Sequence, residues 1–187
     1  MGRRQFLRLA VASAGWVLLC GHSPYRQWIV YRQTHLVILT SRDDPGADEL
    51  GEKFAAIVRG ALPDSHAAVG RGPRVQRIAS LISTQQVGVG VVSRPNALAM
   101  YHGEGSFRQY GALPLRVLVQ NAAYRLVCRD DFLPQHGFLL AEALMHNGRD
   151  LGLSIPARDA VATGDIPAHA GALAFAEGRP LDPRDAR

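Results

Sequence analysis

The chain has 187 residues, 47% of them hydrophobic and 20% charged, with a formal charge of +5. This length suits one domain with a leader, and the composition is that of a globular protein rather than a disordered chain. Three of the 21 basic residues, Arg3, Arg4 and Arg8, lie at the start of the chain, and the others are interspersed among 16 acidic residues. Nucleic-acid binding usually shows a basic stripe or patch, so we expect no nucleic acid among the partners.

The first segment has the pattern of an export signal. Residues 2–8 read Gly-Arg-Arg-Gln-Phe-Leu-Arg and precede an apolar run from Leu9 to Cys20. This pattern resembles the twin-arginine (Tat) signal, in which an arginine pair is followed by a variable residue, phenylalanine, leucine and a basic residue. The matching positions are Arg3, Arg4, Phe6 and Leu7.

The resemblance implies that residues 1–23 bring the chain to the Tat translocase and that the protein works in the periplasm. The 12-residue apolar run is shorter than the roughly 20 residues of a membrane-spanning helix. We therefore expect this segment to act primarily as an export signal and only secondarily as a membrane anchor. Three fates stay open: cleavage near Gly21 to Ser23, lipid attachment at Cys20, or an uncleaved leader that tethers the protein to the membrane.

Strand and helix patterns alternate after the leader. Runs of β-branched and apolar residues predict strands, and apolar residues at helical spacing predict helices. In chain order, the predicted elements are a strand over Trp28–Thr40, a helix over Asp48–Leu62, a strand over Ala67–Val69, a helix that begins at Pro73 with its apolar face over Val75–Ile82, a strand over Val87–Val92 and a helix ending at Tyr101. This alternation indicates an α/β fold with a mostly parallel sheet flanked by helices.

The second half of the chain carries fewer elements. Two strands on either side of Asn121-Ala122 predict a hairpin. The elements predicted here are strands over Leu115–Gln120 and Ala123–Cys128, a helix over Phe138–His146 and a short helix over about Ala170–Glu177. We expect residues 28–178 to form a single domain, and residues 179–187 to be a flexible tail.

The cysteines and histidines argue against a metal or disulfide framework. Cys20 lies in the leader, which leaves Cys128 as the one thiol of the exported part. Cys128 ends an apolar run that starts at Tyr124, so we expect a buried, inert thiol. The seven histidines show no metal-ligand spacing. We therefore expect neither a metal nor another cofactor.

Two stretches resemble the TAXI-type solute-binding proteins of TRAP transporters, which are two-lobed periplasmic binding proteins. One is residues 77–93, and the more specific one is Ile166–Ala172, which is similar to a Pro-x-His-x-Gly-Ala segment near the end of that family. The resemblance implies an α/β lobe like those of periplasmic binding proteins. Little more than one lobe is present, because the segment for a second lobe is missing or reduced after Arg129. His169 of the motif is expected to pack or to cap a turn.

Three loops are predicted at the carboxyl ends of the parallel strands, where ligands bind in open α/β sheets. An arginine beside a helix N-terminus can hold a carboxylate through its charge and through free backbone N–H groups. The candidate ligand-binding residues are Ser41, Arg42, Arg71, Ser93 and Arg94. The alternative is that these arginines are solvated loop residues of an arginine-rich chain.

The sequence shows no catalytic constellation, so we expect a protein that is not an enzyme. The predicted function is that of a periplasmic solute-binding protein that takes a small organic anion or amino acid for a TRAP-type transporter, with the transporter's membrane subunit as a partner. The alternative is an accessory subunit of a Tat-exported periplasmic redox enzyme. That alternative rests on the export route. Tat carries folded proteins, and the chain has no cofactor motif of its own that would explain why it uses this route.

Overall fold

The computed structural model describes residues 35–153, 157–162 and 164–181. The predicted export signal and the first part of the strand predicted over Trp28–Thr40 lie outside the described residues. Most of the predicted tail lies outside them as well.

Within these residues five strands form one sheet, and helices cover both of its faces. The strands are β1 (Val37–Ser41), β2 (Ala68–Gly72), β3 (Val89–Ser93), β4 (Leu115–Gln120) and β5 (Tyr124–Arg129). The α-helices are α1 (Pro45–Ala61), α2 (Val75–Ser83), α3 (Arg94–His102), α4 (Pro134–His146), α5 (Ala157–Ala162) and α6 (Ala170–Ala176). Short 3-10 helices lie at Pro63–Ser65 and Gly105–Tyr110.

The strand order is β2-β1-β3-β5-β4. β1 is parallel to both β2 and β3, whereas β5 is antiparallel to both β3 and β4. The protein is therefore an α/β protein with a mixed open sheet. The expectation of a mostly parallel sheet is not confirmed, because two of the four strand pairings are antiparallel.

The turn between β4 and β5 explains the antiparallel part. The side-chain oxygen of Asn121 accepts hydrogen bonds from the backbone N–H groups of Ala123 and Tyr124, at 3.0 and 2.8 Å. Such an Asx turn reverses the chain within a few residues, and a connection this short joins only antiparallel neighbours. The predicted hairpin is confirmed.

Helix starts differ from the prediction by a few residues. Helix α1 begins at Pro45 rather than Asp48 because the Asp44 carboxylate caps it, accepting a hydrogen bond of 3.1 Å from the N–H of Ala47. Proline suits the first position of a helix because its missing N–H would be unpaired there in any case. Helix α2 begins at Val75 rather than at Pro73, because Arg74 is extended and forms its N-cap. Helix α4 begins at Pro134, four residues before the predicted start; it too has a proline in its first position, but it has no side-chain cap. Helix α5 and the 3-10 helix at Gly105–Tyr110 were not predicted.

The two faces of the sheet carry separate apolar clusters. One packs β-strand residues against α1 and α4, with Phe54 and Leu144 fully buried. The other packs the opposite face against α2 and α3, with Ile78, Met100 and Phe107 fully buried. Successive strand residues point to opposite faces, so β1, β3, β4 and β5 each contribute to both clusters.

The segment before α6 closes the β4 edge of the sheet. The N–H of Val117 donates to the carbonyl of Pro167 at 2.9 Å, and the N–H of His169 donates to the carbonyl of Val117 at 2.8 Å. Helix α6 then packs on α4. Contact is close because Gly171 faces the backbone of Pro134, where a Cβ would lie 1.9 Å from the carbonyl oxygen.

Candidate anion-binding site

The fold brings the five candidate residues to one edge of the sheet. The carboxyl ends of β1 and β2 lie side by side, with Ser41 opposite Gly72, and β3 is parallel to β1. Ser41, Arg42, Arg71, Ser93 and Arg94 therefore all lie at the edge where ligands bind in open α/β sheets. We call it the carboxyl edge.

Arg71 is held by carboxylates of α1. Its Nε lies 2.9 and 3.0 Å from the two carboxylate oxygens of Asp48, and its Nη2 pairs with Glu52. The hydrogen bond to Asp48 raises the pKa of Arg71. Burial raises the pKa of Asp48, but hydrogen bonds from Thr40 and Arg71 outweigh it, so that pKa lies below its usual value. The charge of Arg71 is thus offset within the protein.

Two helix N-termini at the carboxyl edge already hold carboxylates of the chain. Asp44 caps α1. Asp43 accepts a hydrogen bond of 3.4 Å from the N–H of Val75 at the start of α2, and a second one from the hydroxyl of Ser41. A free anion would have to compete with these residues for the partial positive charge of each helix end.

Tyr124 crosses the same edge on the side of α1. Its hydroxyl donates a hydrogen bond of 2.9 Å to Asp44. Burial, and then the hydrogen bond to Asp44, raise the pKa of Tyr124. Since Tyr124 lies opposite Ser93 in the β3–β5 ladder, this bond spans from β5 to the loop after β1, with β3 between them in the sheet.

The N-terminus of α3 differs from those of α1 and α2. Ser93 is the N-cap residue, and it makes no side-chain capping hydrogen bond. Arg94 follows it and is exposed, with its backbone N–H bonded to the carbonyl of Ala123 at 2.9 Å. Pro95, the next residue, has no N–H, so the first helical N–H after that of Arg94 belongs to Asn96, and Ser93 provides no side-chain acceptor at the cap.

Arg125 lies near this helix end and was missed by the sequence analysis. It is only 3% exposed, and its Nε donates a hydrogen bond of 3.0 Å to Gln120 Oε1. Among the described residues it forms no ion pair. Burial, and then the nearby charge of Arg94, lower the pKa of Arg125, while Asp165 acts in the opposite direction. A buried charge without a carboxylate partner is costly and therefore rare.

The terminal nitrogens of Arg125 lie beside the segment that follows α5. A Cβ at Gly164 would be 2.5 Å from Nη2, and neither terminal nitrogen is among the buried polar atoms that lack a partner. Helix α3 packs against β5, which places the start of the helix and Arg125 on neighbouring elements. Ser93, Arg94 and Arg125 thus lie on neighbouring elements of the carboxyl edge, and two of them are positively charged.

The signal that could have revealed Arg125 is present in the sequence. The sequence of residues 124–128 is that of an apolar strand. Arg125 lies two residues before Val127 and therefore on the same face of the strand, and Val127 is buried in the cluster on the α2 and α3 face. A charged residue at an inward-facing strand position is unusual unless something pairs with it.

His169 and Cys128 have structural surroundings. His169 is 2% exposed and its Nε2 donates a hydrogen bond of 2.8 Å to the carbonyl of Phe132. Its ring lies against Gly137, where a Cβ would be 2.1 Å from Nδ1. The expectation that His169 packs is confirmed. Cys128 is fully buried and burial raises its pKa, which confirms the expected buried thiol.

Comparison with known proteins gives no assignment. No protein-family model matches the chain, and no curated protein matches it.

Within the described residues, no group of three or more His, Cys, Asp or Glu side chains is placed to hold a metal ion. None of the helices in that part of the chain combines the length and the apolar character needed to cross a membrane.

Proposed function

We propose that this protein is a non-enzymatic periplasmic solute-binding protein, exported through Tat, that binds a small organic anion at the carboxyl edge. The anion would lie against Arg125 and Arg94 at the N-terminus of α3. The observation that carries the proposal is Arg125, a buried guanidinium that no carboxylate of the described residues neutralises. A bound anion would supply the missing charge and accept hydrogen bonds from the terminal nitrogens.

The proposal narrows the set of candidate residues. Arg94 and Ser93 stay in the site, whereas Arg71 is engaged by Asp48 and Glu52. Ser41 donates to Asp43, so its hydroxyl proton is used within the protein. Arg42 is exposed at the same edge and is the candidate for attracting an anion from solution.

We further propose that the sheet corresponds to one lobe of a periplasmic binding protein of the TAXI type, serving a TRAP-type transporter. The segments that support this proposal are residues 77–93 and Ile166–Ala172. A β1 strand flanked by two parallel neighbours is compatible with such a lobe, and β4 and β5 complete the sheet on one side.

The test is thermal unfolding of the full chain with a panel of small carboxylates and amino acids. A ligand at 100 times its dissociation constant stabilises a protein by about 2.7 kcal/mol, which raises the melting temperature by several degrees. We expect at least one carboxylate to do so. The stabilisation should disappear in Arg125→Lys, because lysine lacks the planar fork of donors, and in Arg94→Gln.

The matched control is Arg149→Gln, which removes the same charge from an exposed position in the loop after α4. It should keep the full ligand-induced shift. If no carboxylate stabilises the well-folded protein, or if the shift survives in both Arg125→Lys and Arg94→Gln, the proposal is wrong. A flat result would favour the accessory-subunit alternative.

A further inference from the structure

The segment that follows α5 lies directly on the guanidinium of Arg125. A Cβ at Gly164 would be 2.5 Å from Nη2 and 3.4 Å from Cζ of Arg125. Gly164 also has a φ of +139°, a conformation that is essentially restricted to glycine. The backbone at Gly164 therefore forms one wall of the site, and no side chain larger than hydrogen fits there.

This wall brings a carboxylate close to the site. Asp165 follows Gly164 in the chain and is exposed. Its negative charge raises the pKa of Arg125 and so favours the charged guanidinium. Within the described residues Asp165 forms no ion pair with Arg125. It is therefore near enough to influence the electrostatic potential of the site but too far away to neutralise Arg125 by direct contact.

Counting the charges around Arg125 gives a small positive sum. Arg125 and Arg94 each contribute one positive charge, and Asp165 contributes one negative charge. A single negative charge on the ligand balances this set. A second negative charge would be repelled by Asp165 beside the buried guanidinium of Arg125.

The hydrogen-bond donors of Arg125 indicate the shape of the group that binds. Nε of Arg125 already donates to Gln120, so an anion cannot pair side-on with Nε and Nη2. The remaining edge, formed by the two terminal nitrogens, presents two parallel donors, and this arrangement matches the two oxygens of one carboxylate.

We propose that Asp165 determines the charge of the anion that this site accepts, so that the site selects a monocarboxylate over a dianion. This inference rests on the proposed function and concerns the same site. Asp165 acts through the electrostatic field at Arg125 and makes no contact that the anion needs. Its removal should change selectivity while leaving binding of a monocarboxylate intact.

The experiment is calorimetric titration of the full chain with propionate and succinate at constant ionic strength. The wild-type protein should bind propionate more tightly than succinate. Asp165→Asn should raise the affinity for succinate by about tenfold, on the order expected for removing one nearby like charge. The affinity for propionate should change less, so the preference narrows or reverses. Asp150→Asn, an exposed change of the same kind in the loop after α4, should leave both affinities unchanged.

The outcomes separate this inference from the proposed function. If propionate binds and Asp165→Asn leaves the ratio of the two affinities unchanged, the selectivity role is overturned and the anion site stands. A wild-type preference for succinate overturns it as well. If neither anion binds to the wild type or to the variant, both the site and the role of Asp165 are overturned. Inorganic phosphate, added as a third titrant, should follow succinate because it is largely dianionic above neutral pH.

Discussion

The hydroxyl of Tyr124 donates a hydrogen bond of 2.9 Å to the carboxylate of Asp44, which lies 80 residues earlier in the chain. Gly46 permits this approach, because a Cβ at that position would lie 2.2 Å from the phenol oxygen. The same carboxylate oxygen caps α1. One acidic side chain therefore ties the hairpin strand β5 to the first helix.

Gly46→Ala should destabilise the protein, although alanine normally favours a helix over glycine by about 0.5–1 kcal/mol. The new methyl group would displace Tyr124 and break its bond to Asp44, which should cost about 1–3 kcal/mol. Chemical denaturation measures the change. In a Tyr124→Phe background the phenol oxygen is gone, so Gly46→Ala should cost less there. Equal costs in the two backgrounds would refute the proposed contact.

Gly171→Ala should destabilise the protein by about 3 kcal/mol or more, because its methyl group would overlap the backbone of Pro134, and backbone cannot swing aside as a side chain can. Gly60→Ala is the matched control, since Gly60 lies in helix α1 with nothing within 4 Å of the added Cβ. That change should stabilise by about 0.5–1 kcal/mol. Thermal unfolding of both variants gives the comparison, and a tolerated Gly171→Ala would show that α4 and α6 are free to separate.

Stability should fall as the pH drops below about 6.5, the ordinary pKa of histidine. Burial lowers the pKa of His169 in the folded protein, and Nδ1 has no partner to receive a new proton. The unfolded chain therefore binds a proton that the folded protein resists, and the free energy of unfolding declines by at most about 1.4 kcal/mol per pH unit. Urea unfolding at pH 7.5 and 5.5 measures the decline.

The His169→Gln variant isolates this contribution. It should be less stable than the wild type at pH 7.5 but should lose less stability between pH 7.5 and 5.5. His102→Gln, at an exposed position, should retain the wild-type dependence. A decline of the same size in His169→Gln would assign the effect to other groups.

Arg125→Met should separate stability from binding. Replacing a buried charge with an apolar side chain of similar length removes a desolvation cost, and such changes are often neutral or stabilising. We expect the melting temperature without ligand to stay the same or to rise, while stabilisation by a carboxylate is lost. A large drop in melting temperature would indicate that Arg125 serves the fold rather than a ligand.

Much of the fold could be predicted because local sequence patterns determine many of its elements. The hairpin at Asn121 follows from one side chain that organises its own turn, and the helix over Val75–Ser83 follows from apolar spacing. The position of β5 between β3 and β4 could not be predicted, because strand order depends on which faces pack together. Local periodicity gives no information on that choice.

The site shows the same division. The loops after β1, β2 and β3 were placed at one edge by a general property of parallel strands. The partners of Arg71 were not foreseen, because Asp48 and Glu52 lie on a helix and reach it only after folding. Arg125 was missed because an arginine inside an apolar strand looks like part of the strand. Its significance becomes visible only after folding, when no carboxylate of the described residues forms an ion pair with it.

The bridge between Val117 and Ala168 has a consequence for how the chain folds during synthesis. β4 is the outermost strand on its side of the sheet, and the segment that pairs with it is made after all five strands. Until that segment arrives, the nascent chain presents an open edge with unpaired N–H and C=O groups, the kind of edge that recruits strands from other chains. A chaperone that shields β4 during this interval would therefore raise the yield of soluble protein, and chains truncated before Ile166 would aggregate.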